Sequence, residues 1–181
     1  MRIIDHWLDC ARRVDSPNYS ARPLEEDVSL LVIHNISLPP GEFGGPHIDA
    51  LFCNSLDCEV HPFFEEIKHL QVSSHLLINR EGEFTQYVPF NMKAWHAGKS
   101  RYEGRSECNE FSIGIELEGC DDIPYTQEQY ASLQGVSNCL LKHYPAMSCQ
   151  RITGHCDIAP ERKTDPGPSF DWQHYLAGVV K

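Results

Sequence analysis

The chain has 181 residues, of which 41% are hydrophobic and 23% are charged, and its formal net charge is -11 with histidine neutral. This length suits one domain, residues 1–181, with a single core, and the composition excludes a disordered chain, which would have few apolar residues and a high charge fraction. The negative charge repels a phosphate backbone and an acidic membrane surface, so neither nucleic acid nor a membrane is an expected partner.

The first residues lack the pattern of a secretory signal, because Asp5, His6 and Asp9 interrupt the apolar run that such a signal needs. No stretch approaches the length of a membrane-spanning helix. The 8 cysteines include no CxxC pair, which favours reduced, mostly buried thiols over disulfides or a cysteine-based zinc site. We therefore expect a cytoplasmic protein, and we expect it to be a monomer.

The N-terminal third predicts a helix, a buried strand and a loop. Apolar spacing indicates an amphipathic helix over residues 5–13. Residues 29–34 form a short apolar run with β-branched side chains, which predicts a buried strand that ends at His34. Proline and glycine are frequent in residues 37–46, which indicates a loop, and a short helix is expected over residues 47–53.

The middle of the chain predicts a hairpin and one further strand. Residues 72–79 and 84–88 are strand-like, and Gly82 stands at a turn position between them, so we predict a β-hairpin. Residues 111–117 alternate between large apolar side chains and small or polar ones, which is typical of a strand. This alternation places Glu116 on the less apolar face.

The C-terminal third predicts two helices and a short strand. Thr126 and Gln129 have the spacing of a capping box, which opens a helix that reaches about residue 144. Residues 151–155 indicate a short strand or strand end, and a last helix follows Asp171. Strands and helices mix without regular βαβ alternation, which favours a single α+β domain, with a central mixed sheet flanked by helices, over a barrel.

Three polar side chains stand where a rigid scaffold usually presents functional groups, at strand ends or in a stiff loop. His34 and His155 each end a predicted strand, and Asp165 lies in the loop KTDPGP. Two imidazoles and one carboxylate would leave the fourth position of a zinc site open, as in catalytic zinc sites. The spacing alone leaves simpler alternatives open, namely hydrogen-bonded core histidines and a turn-forming aspartate.

Longer blocks carry a more specific signal than these single residues. They are LVIHNISLPPGEFGGP at 31–46, QYVPF at 86–90, AWHAG at 94–98, FSIGIELEG at 111–119, TGH at 153–155 and IAPERKTDPGPSFDW at 158–172. In these blocks the chain resembles the N-acetylmuramyl-L-alanine amidases of the AmpD type. The resemblance extends from the start of the chain to about Trp172.

This resemblance implies a fold, a cofactor and an activity. The implied fold is that of the peptidoglycan-recognition and AmpD-like amidases, with one zinc ion per chain bound by His34, His155 and Asp165. It also implies that Glu116 is the general base and that Lys163 stabilises the developing oxyanion. The implied substrate is a small muropeptide, preferably with a 1,6-anhydro sugar, which is cut between N-acetylmuramic acid and L-alanine during cytoplasmic wall recycling.

Substrate contacts are expected from Asn35, Trp95, His96 and Arg105. An asparagine offers a donor and an acceptor to an amide, and an indole offers a flat face to a sugar ring. Similar chains carry arginine where this one has Gln71 and Glu107, so Arg105 is the candidate contact for the carboxylates of a stem peptide.

Other interpretations remain open at this point. Taken alone, Glu116 would be an exposed strand residue, Lys163 a solvated surface charge, and His75 a structural residue. A non-catalytic peptidoglycan-recognition module on the same fold is one alternative function. A secreted lytic amidase that acts on the intact wall is another.

Overall fold

The structure is a computed structural model that describes residues 1–24 and 27–180. Its strands, in chain order, are β1 (Ile3–Ile4), β2 (Trp7–Leu8), β3 (Arg12–Arg13), β4 (Tyr19–Ala21), β5 (Leu30–Ile36), β6 (Leu76–Ile78), β7 (Phe84–Gln86), β8 (Met92–Ala94), β9 (Arg101–Tyr102), β10 (Arg105–Ser106), β11 (Ser112–Glu118) and β12 (Ile152–Gly154). Its α-helices are α1 (His47–Phe52), α2 (Pro62–Ile67), α3 (Gln127–His143), α4 (His155–Ile158) and α5 (Trp172–Ala177).

Among the described residues, six strands form the central sheet, in the order β12-β5-β11-β6-β7-β3. The strands β12, β5, β11 and β6 run parallel, whereas β7 is antiparallel to β6. The central strands β5 and β11 are almost continuously buried because both faces of the sheet are covered. The observed mixed sheet with helices confirms the fold class predicted from the sequence.

The two faces of β5 belong to different hydrophobic clusters. Leu31 and Ile33 pack in the cluster that includes Val136 of α3, and Leu30 and Val32 pack in a cluster on the opposite face. Burying an aliphatic side chain of this size stabilises the fold by about 1.5–3 kcal/mol. These contacts fix the position of the strand end at which the polar side chains begin.

The long helix α3 begins with the predicted capping box. The hydroxyl oxygen of Thr126 accepts a hydrogen bond from the Gln129 N–H at 3.1 Å, and the Gln129 side-chain oxygen accepts one from the Thr126 N–H, also at 3.1 Å. The helix ends at His143, before Pro145. Both predicted ends of this helix are confirmed to within a residue.

The predicted N-terminal helix is wrong, because β1 and β2 form an antiparallel pair there. Asp5 (φ 48°) and His6 (φ 67°) join them. Two successive residues at positive φ make the tight turn that suits a hairpin, and this conformation does not occur within a right-handed helix. Leu8 nevertheless lies in the core, with 4% of its surface exposed. The apolar pattern thus indicates burial correctly but not the type of element.

Several predicted boundaries also differ from the structure. β5 continues past His34 to Ile36. β12 ends at Gly154, so His155 begins α4 instead of ending a strand. Neither end coincides with the predicted one, because pairing with the neighbouring strand, β11 for β5 and β5 for β12, determines where each strand ends.

Two short elements differ more strongly from the sequence-based prediction. Of the strand predicted over residues 72–79, only Leu76–Ile78 is regular. The helix α2 was not expected, since its six residues, with Pro62 at the first position and the His61 side chain as N-cap, show no helical periodicity. Within the described ranges, no helix is long and apolar enough to cross a membrane.

Candidate metal centre and active site

Three neighbouring parallel strands bring the predicted polar residues together at one edge of the sheet. In the β5–β11 pair, His34 lies directly opposite Glu116. In the β12–β5 pair, Gly154 lies opposite Ile33, so His155 follows at the level of His34. Because adjacent strands lie about 4.8 Å apart, this register places the three side chains side by side.

His34, His155 and Asp165 form a compact cluster. Each residue offers one potential ligand atom, and these atoms all lie within 4.8 Å of one another. The two Nδ1 atoms are 2.9 Å apart, and each lies 3.0 Å from the Asp165 Oδ2 atom. Two nitrogens and one carboxylate oxygen that converge in this way fit a zinc ion with a fourth position left open.

The hydrogen bonds and burial of the two imidazoles favour an available Nδ1 lone pair on each ring. Burial lowers the pKa of His34 to about 4, so this ring is neutral at neutral pH. His155 is also buried, and its Nε2 atom lies 3.2 Å from the carbonyl oxygen of Ala97. Since a carbonyl can only accept, Nε2 of His155 carries the hydrogen, and its Nδ1 atom is left for a ligand.

Asp165 completes the cluster as an ionised carboxylate. Burial alone would raise the pKa of Asp165, but the contacts of its Oδ2 atom with the His155 and His34 rings lower it below its ordinary value. The backbone oxygen of Asp165 accepts a hydrogen bond from the Cys156 N–H at 2.9 Å, which ties the loop of Asp165 to the start of α4. The loop that carries Asp165 is therefore attached to the helix that begins with His155.

Glu116 stands beside this cluster as a buried carboxyl group. Only 8% of its surface is exposed, and its Oε2 atom has no hydrogen-bond partner among the described residues. Burial raises the pKa of Glu116 well above its ordinary value, the charge of Asp165 raises it further, and the charge of Lys163 opposes this. A carboxyl group with a raised pKa is a stronger base than an exposed glutamate, and it can accept a proton and return it.

A cleft with a volume of about 360 Å³ leads to the cluster. Glu116, Lys163 and the three residues of the cluster line its inner end. The wall formed by α1, α2 and the adjoining loops is mostly apolar, and its residues are Leu38, Leu51, Phe52, Phe63, Ile67, Leu70 and Val72. The sequence-based prediction did not include this wall, which comes in part from the unexpected helix α2.

Two of the residues predicted to contact substrate line the same cleft and keep a free surface there. The side-chain NH₂ group of Asn35 donates to Asp121 Oδ1 at 2.9 Å and to the carbonyl oxygen of Pro166 at 3.2 Å. Only the side-chain oxygen of Asn35 is then left to accept a hydrogen bond from a ligand. The Trp95 indole N–H donates to the Ser20 hydroxyl at 3.3 Å, so the indole offers its faces.

The other two candidates are placed differently. His96 lines the cleft, but both of its ring nitrogens bond to protein atoms, one of them on His34. Arg105 does not line the cleft. Its guanidinium group pairs with Asp27 and stacks on the ring of Phe111 at 3.9 Å. The structure therefore does not bring Arg105 to the other predicted site residues.

The environment of His75 is that of a structural residue. It is fully buried, its Nδ1 atom accepts a hydrogen bond from the Gly114 N–H at 3.0 Å, and its Nε2 atom lies 3.0 Å from the carbonyl oxygen of Met92. The Arg22 guanidinium group lies 3.1 Å from the same Nε2 atom. These contacts connect three segments of the chain behind the cleft.

Comparison with known proteins gives matches over nearly the whole chain. The family model for N-acetylmuramoyl-L-alanine amidase matches residues 24–168. The 1,6-anhydro-N-acetylmuramyl-L-alanine amidase AmpD of Citrobacter freundii is 60% identical over 180 residues, which cover 99% of this chain and 96% of that protein.

Solved structures give the same result. A selenomethionine AmpD derivative has a TM-score of 0.97 at 60% identity, and the match covers 99% of this chain and 100% of that one. The amidase AmiD from Escherichia coli, in complex with the substrate anhydro-N-acetylmuramic acid-L-Ala-D-γ-Glu-L-Lys, has a TM-score of 0.61 at 29% identity, with 87% of this chain and 58% of that one covered. The strands that carry the cluster lie within the matched range.

Proposed function

Because the chain belongs to the N-acetylmuramoyl-L-alanine amidase family, we propose that it hydrolyses the amide bond between N-acetylmuramic acid and L-alanine in small muropeptides, preferably those with a 1,6-anhydro sugar. The observation that carries this proposal is the cluster of His34, His155 and Asp165 beside the buried Oε2 atom of Glu116, which has no hydrogen-bond partner among the described residues. The 60% identity to an AmpD amidase supports the choice of the anhydro form.

The proposed cofactor is one zinc ion per chain, held by His34, His155 and Asp165. When bound, zinc supplies Lewis-acid polarisation of the scissile carbonyl and makes water a stronger nucleophile at neutral pH. The donor set supports this proposal, because neutral imidazoles and an ionised carboxylate are the forms that bind zinc.

Glu116 and Lys163 are the proposed catalytic residues. Glu116 removes a proton from the water that attacks the carbonyl carbon, and it returns this proton to the amine of L-alanine as the carbon–nitrogen bond breaks. Lys163 stabilises the negative charge that develops on the carbonyl oxygen. The raised pKa of Glu116 supports this role, because it makes the carboxylate a stronger base towards water. The carboxyl group can then hold the proton until the amine of L-alanine takes it.

We further propose that the protein acts as a monomer in the cytoplasm on fragments released during wall recycling. All 8 cysteines are free thiols in the described structure, which suits a reducing compartment. Subcellular fractionation of the native protein tests the compartment, and recovery from the periplasm would instead favour a lytic amidase that acts on the wall. Sedimentation analysis tests the oligomeric state.

The activity is tested by mass spectrometry of the products from anhydro and ordinary muropeptides, with and without a chelator. We expect release of free stem peptide, faster from the anhydro form, and loss of this release after zinc is removed. If the protein bound the anhydro muropeptide without cleaving it, a recognition module would be the correct interpretation.

Two variants separate the proposed roles. Glu116→Ala should keep its zinc and lose most of its turnover, whereas His34→Ala should lose zinc as well. Glu128→Ala, on α3 and outside the cleft, is the control and should keep both. Near-normal turnover in Glu116→Ala at neutral pH would contradict the general-base assignment.

A further inference from the structure

His96 occupies a position on the sheet that exists only because residue 114 is a glycine. A Cβ atom built on Gly114 would lie 2.5 Å from the Cγ and Nδ1 atoms of the His96 ring, which is shorter than any ordinary contact. The ring therefore lies directly on the backbone of β11, between the side chains of Ser112 and Glu116. From there it reaches across to His34 on β5, and the two rings meet edge to face at 5.0 Å.

The hydrogen bonds of Ser112 determine where the hydrogen of the His96 ring lies. The Ser112 hydroxyl is 2.6 Å from the carbonyl oxygen of Cys108, which can only accept, so the hydroxyl hydrogen is used in this bond. The same hydroxyl oxygen lies 3.1 Å from Nε2 of His96 and must act as the acceptor there. His96 is consequently protonated on Nε2, and its Nδ1 atom is an acceptor.

This arrangement fixes the next ring in turn. Nε2 of His34 lies 2.9 Å from Nδ1 of His96, so His34 must donate its hydrogen from Nε2. Its Nδ1 atom then carries a lone pair directed at the same point as Nδ1 of His155 and Oδ2 of Asp165. The order of donors and acceptors, from the Cys108 carbonyl through Ser112 and His96, therefore requires the His34 tautomer with its hydrogen on Nε2.

We propose that His96, supported by Ser112, is a positioning residue of the metal centre that holds His34 in the tautomer with a free Nδ1 atom. This inference rests on the proposed zinc site. It gives His96 a role in orienting His34, which differs from the substrate contact expected from the sequence. His155 needs no such relay, because the Ala97 carbonyl fixes its tautomer directly. Outer partners of this kind typically change metal affinity by about 10–100-fold when they are removed.

The first test measures zinc affinity by competition between the zinc-loaded protein and a chromophoric chelator. We expect His96→Ala to weaken zinc binding by about 10–100-fold, and Ser112→Ala to weaken it in the same direction by a smaller factor. His96→Asn should recover part of the loss, because its side-chain oxygen can accept the hydrogen of His34 near the position of Nδ1.

Ser74→Ala is the matched control for Ser112→Ala. Ser74 is equally buried, and its hydroxyl also donates to a backbone carbonyl, that of Gly114, at 2.8 Å. Loss of either hydroxyl has a similar structural cost, but only Ser112 contacts His96. We therefore expect Ser74→Ala to leave the zinc affinity unchanged, and an equal loss in both serine variants would contradict the inference.

A second measurement separates positioning of the metal from contact with substrate. In zinc-saturated His96→Ala, the positioning part predicts an unchanged KM for the anhydro muropeptide. A raised KM with normal zinc affinity would make His96 a substrate contact and overturn the inference. If the unaltered protein itself bound no zinc, the proposed function would fail, whereas equal zinc affinity in the unaltered protein and His96→Ala would defeat only the positioning role.

Discussion

At the scale of single residues, Gly114 links the backbone of β11 to the geometry of the candidate metal centre. Its hydrogen atom leaves the space that the His96 ring fills, and its N–H also donates to the buried ring of His75. A side chain at this position cannot be accommodated by a movement of solvent-exposed atoms, because the neighbouring ring is itself held by Ser112 and His34.

We predict that Gly114→Ala weakens zinc binding at least as much as His96→Ala does. The added methyl group must displace the His96 ring, and overpacking of this kind also lowers the free energy of unfolding by about 1–3 kcal/mol. Chelator competition and urea denaturation measure the two effects. Gly135→Ala is the control, since a Cβ atom there would meet only the Met1 side chain, at 3.5 Å. This substitution should stabilise α3 by up to about 1 kcal/mol.

The environment of Glu116 predicts the acid side of the pH–rate profile. A general base acts only when it is ionised, so kcat/KM should fall as the pH falls through the pKa of Glu116. Burial and the charge of Asp165 raise this pKa well above its ordinary value, so the fall should begin at a higher pH than an exposed glutamate would give. Glu116→Gln should lose this dependence together with most of the rate. An unchanged acid limb in the residual activity of Glu116→Gln would assign the limb to another group.

At the scale of elements, the capping box of α3 connects this helix to the hairpin of β6 and β7. The Thr126 hydroxyl accepts the Gln129 N–H and donates to the carbonyl oxygen of Arg80 at 2.8 Å. The side chain of Gln129 also donates to the carbonyl oxygen of Glu118, at the end of β11. A cap that would usually affect one helix therefore contacts two parts of the central sheet.

We predict that Thr126→Ala lowers the free energy of unfolding by about 1–2 kcal/mol, because the first turn of α3 loses its acceptor and the Arg80 carbonyl loses its donor. Urea denaturation measures this change. Thr126→Ser keeps both hydrogen bonds and should lose much less, while zinc affinity and turnover should stay normal in both variants. Equal destabilisation by serine and alanine would mean that the methyl group, and not the cap, is responsible.

The sequence predicts best those elements in which local and global signals agree. β5 follows from a continuous apolar run, β11 from an apolar alternation and α3 from its capping box, so the positions of all three follow from the residues alone. The N-terminal hairpin is missed because His6 stands where such a turn usually has glycine after aspartate. The helix α2 is missed because six residues are too few to show a period.

The candidate site also contains residues that the sequence predicts and residues that it does not. His34 is predictable as the polar residue that follows a buried apolar run, although its strand continues to Ile36. The burial of Glu116 depends on the order in which β5, β11 and β6 pair, which no local pattern contains. The relay through His96 and Ser112 depends on a strand register and on a loop that returns to the sheet. Arg105 is close to the predicted region in sequence, yet Asp27 and Phe111 hold it outside the cleft.

At the scale of the whole molecule, the guanidinium group of Arg22 and the imidazole of His75 are buried together behind the cleft. The Arg22 guanidinium group has 6% of its surface exposed and donates to the backbone carbonyls of Asn109, Glu110, Phe90 and Ser112. It also lies 3.1 Å from Nε2 of His75. A proton added to this histidine would have to enter a buried site next to a fixed positive charge. The interior therefore stabilises the neutral form of His75.

This arrangement predicts that the metal-free protein loses stability as the pH falls from about 6.5 towards 3. Burial, followed by the charge of Arg22, lowers the pKa of His75 to about 3, whereas the unfolded chain protonates the same imidazole near pH 6.5. Between these values the unfolded state binds more protons, so its population rises as the pH falls, and the contribution of His75 to stability is complete only above the unfolded pKa.

The expected loss that is due to His75 is roughly 3–5 kcal/mol over this range. Urea denaturation of chelator-treated protein at several pH values measures it, and His75→Asn is the comparison, because asparagine can still accept the Gly114 N–H but does not titrate. The variant should be less stable at pH 7 and should lose less stability on acidification. The buried ring of His34 titrates in both proteins, so its contribution cancels in the difference between them. Parallel pH profiles for the two proteins would show that His75 is not the group that makes the fold sensitive to acid.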